Sequence, residues 1–124
     1  MILPPVVRAY LDAYNAKNVE GMLACLAEDV TFRNISDGAV TAETAGKAAF
    51  AALAAFGVEA FASRHQAVTA AITVETITLA EIDYTAVVAR DLPNGWQTGQ
   101  QLAFRGASMF RVEAGLIIEL VDQS

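Results

Sequence analysis

The segment 102-LAFRGASMFRVEAGLIIELVD-122 decides the fold that this sequence predicts. Residues Leu102–Val112 form one predicted strand, Glu113–Gly115 a three-residue hairpin loop, and Leu116–Asp122 the return strand. The return strand carries one carboxylate, Asp122, on an otherwise apolar face. Because burying a charge without a partner is unfavourable, this carboxylate predicts a pocket.

Side chains alternate between the two faces of a strand, so the inner face of this hairpin can be listed. On that face Asp122 is expected opposite Gly106, and Leu120 opposite Ser108. Gly106 would leave space beside the carboxylate, whose desolvation would raise its pKa and suit it to general acid or base catalysis. The alternative is that Asp122 lies at a wet rim, where it caps a backbone group or bonds to Tyr10. The inner-face residues are Leu102, Phe104, Gly106, Ser108, Phe110, Val112, Leu116, Ile118, Leu120 and Asp122.

The residues before this hairpin predict three helices and three further strands. Helix spacing of apolar residues, prolines at a helix start and an asparagine at an N-cap indicate the helices, and alternation indicates the strands. The order predicts one α+β domain over residues 1–124, with helices on the concave side of a curved antiparallel sheet. The predicted elements are a helix opened by Pro4-Pro5, a helix Val19–Ala27 capped by Asn18, a strand Val30–Ile35, a turn Ser36–Gly38, a helix Thr44–Phe56 closed by Gly57, a strand His65–Val74 with Val68, Ala70, Ile72 and Val74 on one face, a strand Ile82–Ala89 and a turn-rich tip Asp91–Trp96.

Composition and charge exclude several classes of function. The net charge is −6, which argues against nucleic acid and anionic membranes as partners, since both require clustered Lys and Arg. No apolar run is long enough for a transmembrane helix, and the N-terminus lacks the features of a secretion signal. The single cysteine, Cys25, cannot form an internal disulfide, and with one histidine there is no metal-ligand pattern. We therefore expect a cytoplasmic protein without a metal.

Three stretches of the sequence resemble the nuclear transport factor 2-like superfamily, in its SnoaL-like and ketosteroid-isomerase-like branch. Residues Tyr10–Glu20 resemble the family's first helix, turn and second-helix start, and Leu26–Phe32 resembles its entry to the first strand. Residues Arg105–Asp122 resemble its C-terminal hairpin. The resemblance implies a cystatin-like roll with a cone-shaped pocket, a small-molecule ligand and no cofactor, although this fold supports many functions.

The resemblance also implies roles for individual residues. Tyr10 corresponds to the helix-one tyrosine that stabilises an oxyanion in ketosteroid isomerases, and Asn34 and Ser108 correspond to their two catalytic aspartates. Because asparagine cannot accept a proton from carbon, that isomerase reaction is not expected here. Asp122 matches the last aspartate of limonene epoxide hydrolases, but the segment Asp83–Val87 lacks their Arg-x-Asp pattern. SnoaL-like cyclases use an aspartate and a histidine.

The hairpin pattern and the family resemblance together predict a site around Asp122. Asp122 is the proposed proton-transfer group, and Tyr10 and Asn34 are proposed to polarise a ligand oxygen. His65, the only histidine, is a candidate second group, although alternation favours a surface position. Trp96 is expected either to close the mouth of the pocket or to pack against the first helix or a partner subunit. The predicted ligand-binding residues are Ser108, Phe104, Gly106, Leu120, Phe110, Trp96 and His65.

Two classes of function fit this sequence. The first is a cofactor-free isomerase, cyclase, dehydratase or hydrolase acting on a small, mostly apolar cyclic or polyketide-like molecule. The second is a non-catalytic binding or dimerisation module of the same fold. The convex sheet face is the family's usual homodimer surface, and an Arg105–Glu119 pair is expected on it. Tyr84 could lie in the core, pocket or interface, whereas simple core positions are expected for Tyr14, Phe32, Phe50, Phe56 and Phe61.

Overall fold

The computed structural model describes residues 2–124 and shows six strands in one sheet with three helices. The strand order is β2-β1-β6-β5-β4-β3, so the last four strands form the predicted meander. The α+β prediction is confirmed, with one difference in pairing, because β1 runs parallel to β6. The elements are α1 Pro5–Asn15, α2 Val19–Ala24, β1 Leu26–Ser36, β2 Ala39–Ala45, α3 Lys47–Ala60, β3 Phe61–Val74, β4 Ile77–Val88, β5 Gln101–Glu113 and β6 Leu116–Gln123.

The first two helices begin where the sequence predicts. Pro5 lies in the first turn of α1, where a missing N–H costs no hydrogen bond. The side chain of Asn18 accepts a hydrogen bond from the Gly21 N–H at 3.0 Å and caps α2. The predicted end of α2 at Ala27 is wrong, since the helix ends at Ala24. Leu26 already pairs with β6, so sheet formation takes over from the helical pattern.

The hairpin β1–β2 adds a strand that the sequence did not reveal. Strand β2 is mostly exposed and consists of Ala, Thr, Val and Glu, so it has no apolar face to detect. The turn at Asp37 and Gly38, both with positive φ, confirms the predicted turn. The third helix runs from Lys47 to Ala60, later than predicted, and Gly57 lies inside it. Gly46, with φ of 91°, marks its start instead.

A bulge in β3 changes which of its residues face the helices. The register with β4 shifts between Val68 and Ala70. Val68 packs against the core, whereas Ile72 and Val74 are 65% and 69% exposed. The predicted common face of Val68, Ala70, Ile72 and Val74 is therefore wrong, because one extra residue reverses the alternation.

The hairpin β5–β6 keeps the predicted strands but differs in register. Glu113 pairs with Leu116, so the loop has two residues with positive φ, Ala114 and Gly115. A second shift lies between Arg111 and Val112. The shorter loop exchanges the inner and outer residues of β6 relative to the prediction, and the second shift exchanges them again. The residues from Glu119 to Asp122 therefore face the predicted sides of the sheet. Phe110 therefore pairs with Leu120, and both are 1% exposed.

Between these two irregularities the predicted faces of β6 are wrong. Regular alternation along β6 predicts Ile117 on the outer face, but this residue is fully buried, and Leu116 is exposed instead of facing inward. The predicted Arg105–Glu119 pair is also absent. Arg105 pairs with Asp83 at 3.1 Å, and Glu119 pairs with Arg111 at 3.0 Å, because Arg105 lies opposite Asp83 of β4 and Glu119 lies opposite Arg111 of β5.

The hydrophobic core lies between the helices and the inner face of the sheet. The large apolar side chains with at most 2% exposure come from α1, α2 and four of the strands, and each contributes about 1.5–3 kcal/mol relative to an exposed one. None of the helices in residues 2–124 has both the length and the hydropathy of a membrane span. The most buried large side chains are Val7, Met22, Leu26, Val30, Val88, Phe110, Ile117 and Leu120.

Candidate functional site

A row of three polar side chains crosses the inner face of the sheet. Asn34 of β1 pairs in register with Asp122 of β6, and Asp122 pairs with Ser108 of β5. Residues in register on neighbouring strands project to the same side of a sheet. We call Asn34, Asp122 and Ser108 the polar row. The predicted placement of Asp122 opposite Gly106 is wrong by two residues, because of the two shifts in the hairpin.

Asp122 lies in an environment that disfavours its charged form. Its Oδ1 accepts a hydrogen bond from the Ser108 hydroxyl at 2.7 Å, and Ser108 is itself buried. Burial raises the pKa of Asp122 from 3.8 to about 6, while the hydrogen bond from Ser108 opposes this rise. Part of the Asp122 surface faces the cavity, so the carboxyl is desolvated by protein on some sides and accessible on another. Such a group can accept or donate a proton near neutral pH.

Gly106 has a different role from the predicted one. A Cβ at this position would lie 2.6 Å from the backbone oxygen of Gln123. The space beside Gly106 is therefore taken by the end of β6, which approaches closely because residue 106 has no side chain. Gly106 brings Asp122 into position and does not open a space for its carboxyl.

The polar row lines a cavity of about 510 Å³, a size suited to a small organic molecule. Five aromatic residues line the same cavity and form what we call the aromatic cluster. In it Tyr84 stacks on Phe104 with ring centroids 4.9 Å apart, and the two tyrosine hydroxyls are 3.0 Å apart. The aromatic cluster consists of Tyr14, Phe61, Tyr84, Trp96 and Phe104.

Several predicted site residues line this cavity, and others lie behind it. Asn34, Phe104, Gly106 and Ser108 line it with Asp122. Tyr10 is 3% exposed and is not among the lining residues. Burial, and then the charge of Asp122, hold its pKa well above the ordinary value for tyrosine. The structure therefore places Tyr10 in the core close to the carboxylate, where Phe110 and Leu120 also lie.

Asn34 is in place but its amide is already engaged. Its Nδ2 donates to the Thr41 hydroxyl at 2.8 Å and to the Ser36 hydroxyl at 3.2 Å. Its Oδ1 is thus the atom available to a ligand in the cavity, so Asn34 is suited to accept a hydrogen bond. The expected role of polarising a ligand oxygen needs a donor, and we do not assign it to Asn34.

Trp96 and His65 lie on different sides of the sheet. Trp96 lines the cavity and contacts Phe61, with ring centroids 6.3 Å apart. His65 is exposed and pairs with Thr85 on the outer face. It lines a separate pocket with Gln101. We therefore leave His65 out of the site.

Three residues at or near the cavity, Tyr14, Phe61 and Arg64, were not recognised from the sequence as site residues. Tyr14 was expected to be simple core, yet its hydroxyl meets that of Tyr84 at the cavity surface. Arg64 is 7% exposed, and its guanidinium carbon lies 3.7 Å from the centroid of the Tyr14 ring. The available signal was the i, i+4 spacing of Tyr10 and Tyr14, which places both on one face of α1.

The cavity offers hydrogen-bonding groups and the desolvated carboxyl of Asp122 beside an aromatic surface. Within residues 2–124, no cluster of three His, Cys, Asp or Glu side chains could hold a metal ion. The residues present can bind an apolar ring, accept or donate a proton through Asp122, and donate a hydrogen bond from a tyrosine hydroxyl. These are the elements of acid–base chemistry on a small molecule.

The family of the chain is shown by comparison with family models. The model of the SnoaL-like domain matches residues 7–120, so the chain belongs to the SnoaL-like domain family. This match confirms the resemblance identified in the three sequence stretches. No functionally curated protein matches the chain.

Solved structures give the same fold. A candidate polyketide cyclase from Xanthomonas campestris pv. campestris is 26% identical, with a TM-score of 0.78, covering 96% of this chain and 87% of its own. A candidate polyketide cyclase from Silicibacter sp. is also 26% identical, with a TM-score of 0.76 and coverages of 94% and 84%. A hypothetical protein with a ketosteroid isomerase-like fold from Catenulispora acidiphila, in complex with trimethylamine, is 18% identical, with a TM-score of 0.79 and coverages of 98% and 85%.

Proposed function

We propose that this protein binds a small, mostly apolar cyclic or polyketide-like molecule in the cavity and transfers a proton through Asp122 without a cofactor. The observation that carries the proposal is the Asp122 carboxyl, which faces the cavity with a raised pKa of about 6. The candidate polyketide cyclases of similar structure support this ligand class. Above pH 6 the carboxylate is the proton acceptor, and below it the acid is the donor.

A chemical step that fits the cavity is the removal of an acidic C–H proton next to a ketone. The C–H bond breaks, its electron pair forms the enolate, and the proton moves to an oxygen of Asp122. The reverse step returns a proton to carbon. The O–H of Tyr14 or Tyr84 is available to stabilise the enolate oxygen, which is the role expected earlier of Tyr10.

Hydrogen–deuterium exchange tests the proposal without knowledge of the natural substrate. A panel of enolisable bicyclic ketones, such as 2-tetralone, would be incubated with the protein in D₂O, and loss of the C–H signal followed by NMR. Wild type should accelerate exchange, and Asp122→Asn should reduce the accelerated rate by about 10²–10⁴-fold, as expected for loss of a general base. The affinity for the ketone should change little.

The matched control is Asp37→Asn, which removes the other carboxylate that lines the cavity. Asp37 has a positive φ of 52°, a conformation that asparagine also tolerates. This variant should exchange at the wild-type rate. An Asp122→Asn protein that binds and exchanges as well as wild type would remove Asp122 from the chemistry.

The second candidate function is a non-catalytic ligand-binding module. It is favoured by Asn34 and Ser108, which occupy the two positions where the resemblance implies catalytic carboxylates. In that case wild type and Asp122→Asn would bind the same ketones, and neither would exchange faster than the buffer. Thermal stabilisation by a ligand, followed by the exchange assay, separates the two functions.

We further propose that the protein forms a homodimer through its convex sheet face, in the cytoplasm. An apolar row of Ile72, Leu79, Met109 and Val121 runs across four strands of that face. Ile72 is 65% exposed and Leu79 47%, which favours coverage by a second copy. Light scattering should give twice the monomer mass for wild type and the monomer mass for Leu79→Glu. Phe56→Ser, which changes an exposed apolar residue of α3, should stay dimeric.

A further inference from the structure

Arg64 is a buried cation that forms no ion pair with a carboxylate of residues 2–124. It is 7% exposed, and the ion pairs formed within residues 2–124 do not include it. Its Nε donates to the backbone oxygen of Tyr14 at 3.2 Å, and its Nη2 lies 3.9 Å from the Met22 sulfur. Burying an arginine normally requires an anionic partner, so the absence of one here requires an explanation.

The surroundings of Arg64 hold its guanidinium against one aromatic ring. The guanidinium carbon lies 3.7 Å from the centroid of Tyr14, within the range of a cation–π interaction. Helix α3 passes close on another side, where a Cβ at Gly57 would lie 3.2 Å from Nη1. The guanidinium is therefore held by α1, α2 and α3 together, and it is not a cavity-lining group.

The ring that Arg64 contacts carries one of two hydroxyls at the cavity surface. The Tyr14 and Tyr84 oxygens are 3.0 Å apart, and both residues line the cavity. Whichever hydroxyl donates within this pair, the proton of the other is free to donate to a ligand oxygen. A cation on the ring face draws electron density from the phenol, which makes Tyr14 a stronger hydrogen-bond donor in this poorly solvated setting.

We infer that Arg64 is a positioning residue that acts through Tyr14 and makes the Tyr14–Tyr84 hydroxyl pair a receptor for a negatively charged ligand oxygen, such as that of a phenolate or an enolate. Such an oxygen would supply the anion that the buried guanidinium lacks. The inference rests on the proposed ligand cavity but not on proton transfer by Asp122. It differs from a purely structural role, in which Arg64 would only join the helices to β3.

Binding of 4-nitrophenol tests the inference, because its neutral and anionic forms absorb at different wavelengths. The charged or titratable groups acting on the tyrosine pair are Arg64, Tyr10 and Asp122. Of these groups Asp122 titrates near neutral pH, so the measurements are made in the Asp122→Asn background, which removes its carboxyl. In this background the anion should bind at least about tenfold more tightly than the phenol, which equals a drop of about one unit in the pKa of the bound probe.

Variants distinguish an electrostatic from a structural role. Arg64→Met should bring the ratio of the two dissociation constants close to one while leaving binding of the neutral form unchanged, and Tyr14→Phe should also reduce the ratio. Arg64→Lys keeps the charge and should retain part of the preference. Arg90→Met is the matched control, since Arg90 also lies over an aromatic ring, that of Phe56 at 5.3 Å, but away from the cavity. Arg90→Met should have the same ratio of dissociation constants as the Asp122→Asn protein in which it is made.

The inference is overturned if the Asp122→Asn protein prefers neutral 4-nitrophenol or binds neither form. It is also overturned if Arg64→Met weakens both forms by the same factor. If Arg64→Met does not fold, the inference is tested by the ratio of the two dissociation constants in Arg64→Lys and Tyr14→Phe. Loss of ketone exchange in Asp122→Asn with the anion preference intact would separate this inference from the proposed function, because the two measurements depend on different residues.

Discussion

The polar row and the aromatic cluster line the same cavity but are built in different ways. The polar row consists of one residue from each of three neighbouring strands, and strand register alone brings Asn34, Asp122 and Ser108 together. The aromatic cluster draws on α1, β3, β4, β5 and the loop before β5. A site built by register is sensitive to small backbone shifts, whereas a site built by packing of several elements depends on side-chain size.

The largest expected effect on stability comes from adding a side chain at residue 106, where the end of β6 approaches β5 closely. Gly106→Ala would place a Cβ 2.6 Å from the backbone oxygen of Gln123, so the end of β6 must move. We expect a loss of about 2–3 kcal/mol in the free energy of unfolding, typical of overpacking against backbone. Urea denaturation measures it, and loss of ketone exchange should accompany it.

The control for this change is Ala107→Ser, at the neighbouring outward position that pairs with Gln123. A surface change of this kind should alter the free energy of unfolding by less than about 0.5 kcal/mol. A Gly106→Ala protein as stable as wild type would show that β6 can adjust its distance freely, and that the polar row does not depend on the close approach.

The next largest effect is on stability as a function of pH. The unfolded chain loses the Asp122 proton near pH 3.8, whereas the folded chain keeps it up to about pH 6. The folded state therefore binds more protons in this window, and the free energy of unfolding falls as pH rises from about 4 to 6. The full shift corresponds to about 3 kcal/mol, and we expect about 2 kcal/mol because part of the carboxyl faces the cavity.

The free energy of unfolding of Asp122→Asn should not fall in this way between pH 4 and 6. The variant should therefore be more stable than wild type at pH 7. Urea denaturation at pH 4, 5, 6 and 7 checks the difference between the two proteins, which cancels the contribution of other groups. A difference that does not change with pH would mean that the folded and unfolded states have the same pKa for Asp122.

A smaller effect concerns the hydrogen bond within the polar row. The Ser108 hydroxyl lowers the pKa of Asp122 against the effect of burial, so Ser108→Ala should raise that pKa further, by about one unit. The pH at which ketone exchange reaches half its maximum should rise by the same amount. Ser63→Ala, at an exposed position of β3, should leave it unchanged, and an unchanged midpoint in Ser108→Ala would contradict the assigned hydrogen bond.

The smallest effect is expected in the aromatic cluster. Trp96 contacts Phe61 at the cavity surface, and an aromatic contact of this kind contributes about 0.5–1.5 kcal/mol. Trp96→Ala should weaken ketone binding by about three- to tenfold with no change in the pH midpoint of exchange. A shift in that midpoint would mean that the loop also controls the solvation of Asp122, and that the two parts of the cavity are not separable.

The fate of Asp122 shows how much of the site the sequence could provide. Alternation along the hairpin predicted correctly that this side chain faces inward. The sequence pattern predicts a three-residue loop and a regular strand, whereas the structure has a two-residue loop and a bulge near Val112. The two differences cancel in orientation but not in register. Neither can be read from a period-two pattern, because a bulge is decided by contacts with the neighbouring strand.

The aromatic cluster could not be predicted because helical periodicity does not distinguish a core position from a cavity position. Tyr10 and Tyr14 lie one turn apart on the same face of α1, and the resemblance favoured Tyr10. The structure buries Tyr10 behind the cavity and brings Tyr14 to Tyr84. The partner of Tyr14 is 70 residues away in sequence, so only the packing of α1 on the sheet reveals the pair.

A direct measurement of the ionisation of Asp122 tests the central claim that its carboxyl faces a poorly solvated cavity. The side-chain carboxyl carbon of Asp122 can be followed by ¹³C NMR from pH 3 to 8 and assigned by its absence in Asp122→Asn. We expect a midpoint of about 6. A midpoint near 3.8, the ordinary value for aspartate, would contradict the account.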